Sequence, residues 1–219
     1  MEEWRELEPA WRAAFELAWE AFGAGTIPVG AVVTDADGTV LARGRNRITE
    51  ASAPEGQIFG SRVAHAEINA LVQLGMGRRY LDCTLWTTLE PCALCVGAAW
   101  LSTIGRVAFA AADVYGGASK LIERQIDAAD SARSFPMDVE GPLGGPLAVF
   151  SELLHVAFFA DRPGEHPVAH TFRARRPQLV ALAGRLRLAE HAADPLEELL
   201  PRIWDELAAY QLGLPSKPV

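Results

Sequence analysis

The sequence predicts an α/β layered fold built around a mixed or parallel sheet. Three observations carry that expectation. Short β-rich apolar runs alternate with stretches of helical period, which is the pattern of strands covered by helices. Gly, Pro and Asp-Gly signals punctuate the changeovers. The chain has 219 residues, 50% of them hydrophobic and 22% charged. That is an ordinary globular composition, long enough for one sizeable domain or for one domain plus an appendage.

The elements follow in order. Trp4, Leu7, Trp11, Phe15, Ala18, Trp19 and Phe22 recur near a helical period over residues 4–22, and Gly23 and Gly25 stop that helix. Residues 27–33 (IPVGAVV) read as a buried strand, residues 35–38 as a turn, and residues 39–46 as the returning strand of a hairpin. Residues 47–63 hold Pro54, Gly56 and Gly60 and read as a long loop, a type that is usually functional. A helix is expected over 64–74, a strand over 82–88, a helix from Pro91 to about Leu101, a strand over 106–110 and a helix over 118–129. Residues 147–160 read as an apolar helix, and residues 161–177, with four more breakers, as a linker. Helices near 178–192 and 195–211 close the chain, the last with Asp194 as N-cap and Pro195 at its first position. The expected organisation is a domain over 1–160 and a linker with a helical extension over 161–219.

Charge and cysteine usage narrow the function. The formal net charge is −8. Residues 1–160 carry 12 Lys/Arg against 20 Asp/Glu, and residues 161–219 carry 8 against 8. A polyanion is repelled by such a chain on average, because phosphate contacts supply much of nucleic-acid affinity. Arg173, Arg175 and Arg176 form the best local candidate for a polyanion contact. No apolar run is long enough to span a bilayer, and the acidic start, MEEWRE, is not a secretory signal. A cytoplasmic protein is therefore expected. The three cysteines, Cys83, Cys92 and Cys95, are an odd number, which argues against a disulfide framework.

Three short pieces carry chemistry: His65-Ala66-Glu67, Glu90-Pro91-Cys92, and Cys95. His, Cys and Cys are good Zn²⁺ ligands, and three protein ligands leave the fourth tetrahedral position to water, whose pKa zinc lowers to about 7. A CxxC pair alone is as often a redox pair or half of a structural zinc site. Pro91 places the pair at a helix start, where free N–H groups and the helix dipole favour thiolates. A carboxylate beside the metal, here Glu67, can take the proton of a metal-bound water and pass it on. Positions i and i+2 point about 200° apart on a regular helix, so this spacing permits the arrangement without requiring it.

H-x-E followed by P-C-x-x-C is the signature of the zinc nucleobase deaminases. The chain resembles the cytidine deaminase-like superfamily, and within it the bacterial tRNA adenosine deaminase and guanine deaminase branch. The likeness rests on residues 27–33 (IPVGAVV), 44–46 (GRN), 64–69 (AHAEIN), 88–95 (TLEPCALC) and 104–109 (IGRVAF), and covers about residues 5–159. It implies a three-layer α/β/α sandwich with a five-stranded mixed sheet, here with a helical C-terminal extension. It implies zinc on His65, Cys92 and Cys95, and Glu67 as proton shuttle. It further implies that Asn46 hydrogen-bonds the substrate ring, that the Ala66 backbone reads its edge, and that Asp113 lies near the substrate entrance. Many relatives are homodimers, and a homodimer is expected.

Two departures bear on substrate. The tRNA-acting relatives join the Asn and the HxE by a short connection, here stretched by residues 47–63, and the tail 161–219 has no counterpart. With the acidic charge, these favour a small free base or nucleoside, of cytosine, guanine or aminotriazine type, over tRNA. The alternatives are a tRNA adenosine deaminase and a non-catalytic zinc-stabilised binding module. Glu90 reads as structural and Cys83 as a small buried hydrophobe. His155, His166, His170 and His191 lack ligand-like spacing and read as ordinary residues.

Overall fold

A computed structural model describes residues 2–121, 137–160 and 166–213. Its elements are α1 (Glu2–Glu6), α2 (Pro9–Gly23), β1 (Gly30–Thr34), β2 (Val40–Arg45), α3 (Ala66–Leu71), β3 (Thr84–Leu89), α4 (Ala93–Leu101), β4 (Arg106–Ala111) and β5 (Asp138–Glu140). The C-terminal part adds α5 (Gly145–Ala160), α6 (Pro167–Arg175), α7 (Pro177–Leu186), a 3₁₀ turn (Leu188–His191) and α8 (Leu196–Gln211). The helix expected over 118–129 falls mainly outside the described residues.

The sheet has five strands in the order β2-β1-β3-β4-β5. β1 runs antiparallel to β2 and β3, whereas β3, β4 and β5 run parallel. Every residue of β1 is buried, as expected for a strand covered on both faces. Side chains alternate between two cores. Ala31, Val33, Leu85 and Val107 pack with α3 and α4. Val32, Trp86 and Ala108 pack on the other side with α2 and α5. The result is the expected three-layer α/β/α sandwich with a mixed sheet.

The C-terminal helices extend the α2/α5 layer. Phe172, Leu179, Leu199, Leu200 and Leu207 join one continuous cluster with Trp11, Phe15 and Phe150. The Trp19 indole N–H donates to the Asp194 carbonyl at 2.8 Å, tying α2 to the start of the last helix. α5 lies within this layer, and eleven of its residues are buried. Its near-continuous apolar sequence follows from that position.

Several boundaries differ from the sequence expectation, and proline explains most of them. The N-terminal helix breaks before Pro9, because the ring disfavours helical backbone at residue 8; Glu8 has φ −51° and ψ 135°. α4 starts at Ala93 with Cys92 as N-cap, so Pro91 precedes the helix instead of opening it. Pro195, not Asp194, is the N-cap of α8, and the Asp194 carboxylate pairs with Arg202 and His191 instead. Residues 161–177 are not simply a linker. Pro167 and Pro177 sit in the first turns of α6 and α7, where a missing N–H costs nothing. The three-residue β5 is too short to show alternation and has no sequence signal. Among the described residues, no helix is long and apolar enough to cross a membrane.

Candidate active site

Two helix starts meet at the site. His65 is the N-cap of α3 and Cys92 the N-cap of α4, and neither side chain caps its own helix. Both are therefore free to point elsewhere. Gly44 makes room for the first of these starts: a Cβ there would stand 2.3 Å from the Ala66 carbonyl oxygen. Only glycine lets α3 lie this close against β2.

His65, Cys92 and Cys95 converge on one point. The Cys92 Sγ to His65 Nδ1 distance is 3.6 Å, Cys95 Sγ to His65 Nδ1 is 3.4 Å, and Cys92 Sγ to Cys95 Sγ is 3.7 Å. A tetrahedral ion with Zn–S near 2.3 Å and Zn–N near 2.0 Å requires separations of about 3.8 Å between sulfurs and about 3.5 Å between sulfur and nitrogen. The donor set fits zinc in type and in spacing, and among the described residues these three can hold a metal ion. Hydrogen bonds with Cys95 and then His65 outweigh burial and pull the Cys92 thiol down to about 4. The same contact with Cys92, reinforced by burial, pushes the Cys95 thiol up. Metal binding requires both thiols to give up their protons. The hydrogen bond with Cys92 raises the His65 pKa, and burial opposes it.

Glu67 lies in the first turn of α3, two residues beyond His65, and is 4% exposed. Both side chains line one cavity of about 400 Å³, which resolves the ambiguity left by their i, i+2 spacing. Burial raises the Glu67 carboxyl pKa, and the charge of His65 opposes that rise. A carboxylate raised in this way is a stronger proton acceptor than an ordinary one.

The remaining walls come from several elements. Asn46, buried at the end of β2, lines the cavity. Its Oδ1 accepts from the Thr26 hydroxyl at 2.8 Å and from the Ile48 N–H at 3.1 Å. A backbone N–H can only donate, so that bond fixes the amide orientation and leaves the NH₂ end for the cavity. Asp113 and Tyr115 line the cavity from the 112–119 loop. Glu90 secures that loop, its carboxylate accepting from the Asp113 N–H, the Ser119 N–H and the Ser119 hydroxyl. Ala66 is fully buried, with its side chain in the α3/α4 core.

The 47–63 loop contributes Ile48 and Thr49 to the cavity. It is firmly tied down. Arg47, only 8% exposed, pairs with Glu50 and donates to Gln57. The Asn69 side chain accepts from the Ile58 N–H and donates to the carbonyls of Arg45 and Ile58. The AHAEIN stretch therefore both supplies the site and anchors the loop beside it.

The sequence reading missed a wall. His155, Phe158 and Phe159 of α5, with His166 and Val168 at the start of α6, also line the cavity. Phe159 stacks on His166 with ring centroids 4.5 Å apart. The available signal was weak: His155, with Glu152, interrupts an otherwise largely apolar helix. The arginine cluster is partly engaged elsewhere: Arg176 pairs with Glu152, and Arg175 donates to the Val114 carbonyl.

Residues 5–111 match the family described as the cytidine and deoxycytidylate deaminase zinc-binding region. This segment of the chain belongs to that family. It contains the three metal ligands, Asn46 and Glu67. The chain is 43% identical over 115 residues to a tRNA(Ile)-lysidine synthase of Deinococcus radiodurans, covering 51% of this chain and 18% of that one. It is 37% identical over 99 residues to a cytosine deaminase of Candida albicans, covering 44% of this chain and 60% of that one. It is 40% identical over 114 residues to a tRNA-specific adenosine deaminase of Haemophilus influenzae, covering 51% and 61%. The chain thus spans less than two thirds of the length of each of these relatives. A solved structure in complex with 2,6-diaminopurine shares the fold, with a TM-score of 0.51 at 23% identity, covering 74% of this chain and 86% of that one.

Proposed function

We propose that the protein is a zinc-dependent hydrolytic deaminase, converting an exocyclic amino group on a small neutral heterocycle into a carbonyl with release of ammonia. The observation that carries this reading is the cavity lined by His65, Cys92 and Glu67, with Cys95 beside His65 and Cys92, whose described lining contains no Lys or Arg. Its charged members are carboxylates, Glu67, Glu90 and Asp113, which disfavour a phosphate. Ile27, Val29, Leu89 and Phe158 supply apolar surface for a flat ring. The cytosine deaminase relative supports a free base, with a nucleoside as the larger option.

Bound zinc supplies a Lewis acid and lowers the pKa of water at the open position. The chain's own groups do the rest. Glu67 takes a proton from the water whose oxygen bonds to the amine-bearing carbon and delivers it to the ring nitrogen. It then carries the remaining proton of the added hydroxyl to the amine, so that the C–N bond breaks, ammonia leaves and the C–O bond becomes a carbonyl. The Asn46 NH₂ donates to an acceptor on the ring. The Ala66 backbone contacts the ring edge, and Asp113 stands at the entrance. Ile48, Thr49, His166 and Val168 exclude water as the ring is enclosed. The stretch that follows α5 acts here as an added wall of the site through His166 and Val168.

Ammonia release by the zinc-loaded protein tests the reading, with free bases, nucleosides, aminotriazines and unmodified tRNA as the panel. Turnover of a small ring without turnover of tRNA is the expected result; retained activity in Glu67→Ala protein would overturn the mechanism. The second reading, deamination of tRNA adenosine, is favoured by the tRNA-specific relative. It requires binding that weakens steeply with salt. A non-catalytic zinc module would instead bind the ion and release no ammonia from any ring.

We also infer self-association through α4. Leu94 and Leu101 lie seven positions apart on one face of this apolar helix, 42% and 60% exposed. Two copies pairing across that face would cover both.

A further inference from the structure

Among the described residues, one buried side-chain polar atom has no hydrogen-bond partner: Nδ1 of His155. Buried polar atoms are nearly always paired, so an orphan requires an explanation. His155 is 6% exposed and lines the cavity that holds Glu67 and the metal ligands. Phe159 at 5.1 Å and Phe172 at 6.0 Å hold its ring, both at 56° to it. These contacts fix the imidazole plane without giving the nitrogen a partner. Burial keeps the ring neutral, at about 4; the Asp113 carboxylate opposes that and His166 reinforces it. A neutral imidazole offers one donor and one acceptor, which suits the edge of a ring bearing both kinds of group.

We propose that His155 is a substrate-recognition residue, its imidazole hydrogen-bonding a polar edge of the bound heterocycle and turning the amine-bearing carbon toward His65, Cys92 and Cys95. The inference rests on the deaminase reading and sharpens it. Nδ1 has almost no accessible surface, and a small turn of the imidazole brings it to a polar atom at the ring's edge. A ring with only C–H there leaves it unpaired and binds more weakly. The recognising group sits on α5, outside the 5–111 segment that supplies the ligand set. Substrate choice and metal binding are thereby carried by separate parts of the chain.

The test measures calorimetric affinity for cytosine, guanine and melamine in zinc-loaded Glu67→Gln protein, so that no ring is consumed. His155→Phe keeps the ring and its aromatic neighbours but removes both nitrogens. His155→Asn returns a neutral polar group near the position of Nδ1. Expected are a tenfold or greater loss of affinity in His155→Phe and substantial recovery in His155→Asn. Zinc content should stay at one per chain. Tm should stay equal or rise, because an unpaired polar atom has been removed. Unchanged affinity in His155→Phe overturns the proposal, and so does a loss of affinity that follows only a fall in Tm or zinc content. Should the Phe variant not fold, the imidazole ¹⁵N signals of His155 in the parent decide. Movement on addition of a binding ring supports the contact, and stillness refutes it. If no ring binds or is turned over, the proposal falls together with the deaminase reading. If rings are turned over and His155→Phe behaves as the parent, the proposal alone falls.

Discussion

The cavity has two contrasting sides. One is built from short motifs within residues 5–111: the zinc-type ligands, Glu67, and an Asn46 whose oxygen is already committed. The other is built from α5 and α6: two phenylalanines, a valine and two histidines, on helices that share a core with the rest of the C-terminal extension. The first side prescribes chemistry, because ligand type and spacing admit few substitutes. The second prescribes shape and edge complementarity, which many sequences can supply. A common reaction can therefore be paired with different rings by rebuilding the second side alone.

That contrast is testable, and the first side should give the largest effects. Cys92→Ala removes one of three ligands and leaves a buried cysteine without its partner; bound zinc should fall to near zero by metal analysis, and ammonia release with it. Glu67→Gln keeps shape and zinc but cannot accept the proton. Its kcat should drop by about 10³-fold, within the usual range for general acid–base groups. Asn46→Asp replaces the NH₂ donor by a carboxylate oxygen facing the same ring acceptor. A fall in kcat/KM of roughly 10²-fold is expected, with zinc retained; an unchanged kcat/KM would remove Asn46 from the substrate.

On the second side the expected effects are smaller and of another kind. The folded protein holds His155 near 4, below its ordinary 6.5, through burial. The unfolded chain therefore binds the extra proton first as pH falls. Stability is fully present above about pH 6.5, declines through the window from 6.5 to 4, and levels off below it. The loss from this group is at most roughly 3 to 4 kcal/mol. Thermal melts over that window should show a shallower decline in His155→Phe. Leu101→Glu should have the mildest consequence for the monomer, shifting sedimentation from dimer to monomer while zinc content stays the same.

The two sides were unequally legible in the sequence. His65, Glu67, Cys92 and Cys95 could be read because metal chemistry restricts residue type and helix starts restrict spacing. The sheet could be read because fully buried strands such as β1 are unbroken apolar runs bounded by turn residues. Prolines 167 and 177 looked like loop markers because the same residue opens helices and ends them, and only the packing of Phe172 and Leu179 decides between the two. His155 could not be singled out, since a histidine in an apolar helix is informative only once its missing partner is known. The pinning of the 47–63 loop was equally hidden, because Asn69 reaches Ile58 across the fold.

The carboxylate of Glu90 has a consequence beyond holding a loop. It stands two residues before Cys92 while clasping Asp113 and Ser119, and a Cβ on Gly117 would come within 2.2 Å of it. One side chain thus rivets the doorway to the anvil. A shift of the doorway large enough to admit a bulkier guest would tug on the strand end that presents the thiolates. Lineages that widen this entrance should therefore retune residue 90 and residue 117 together, or surrender metal affinity as the opening grows.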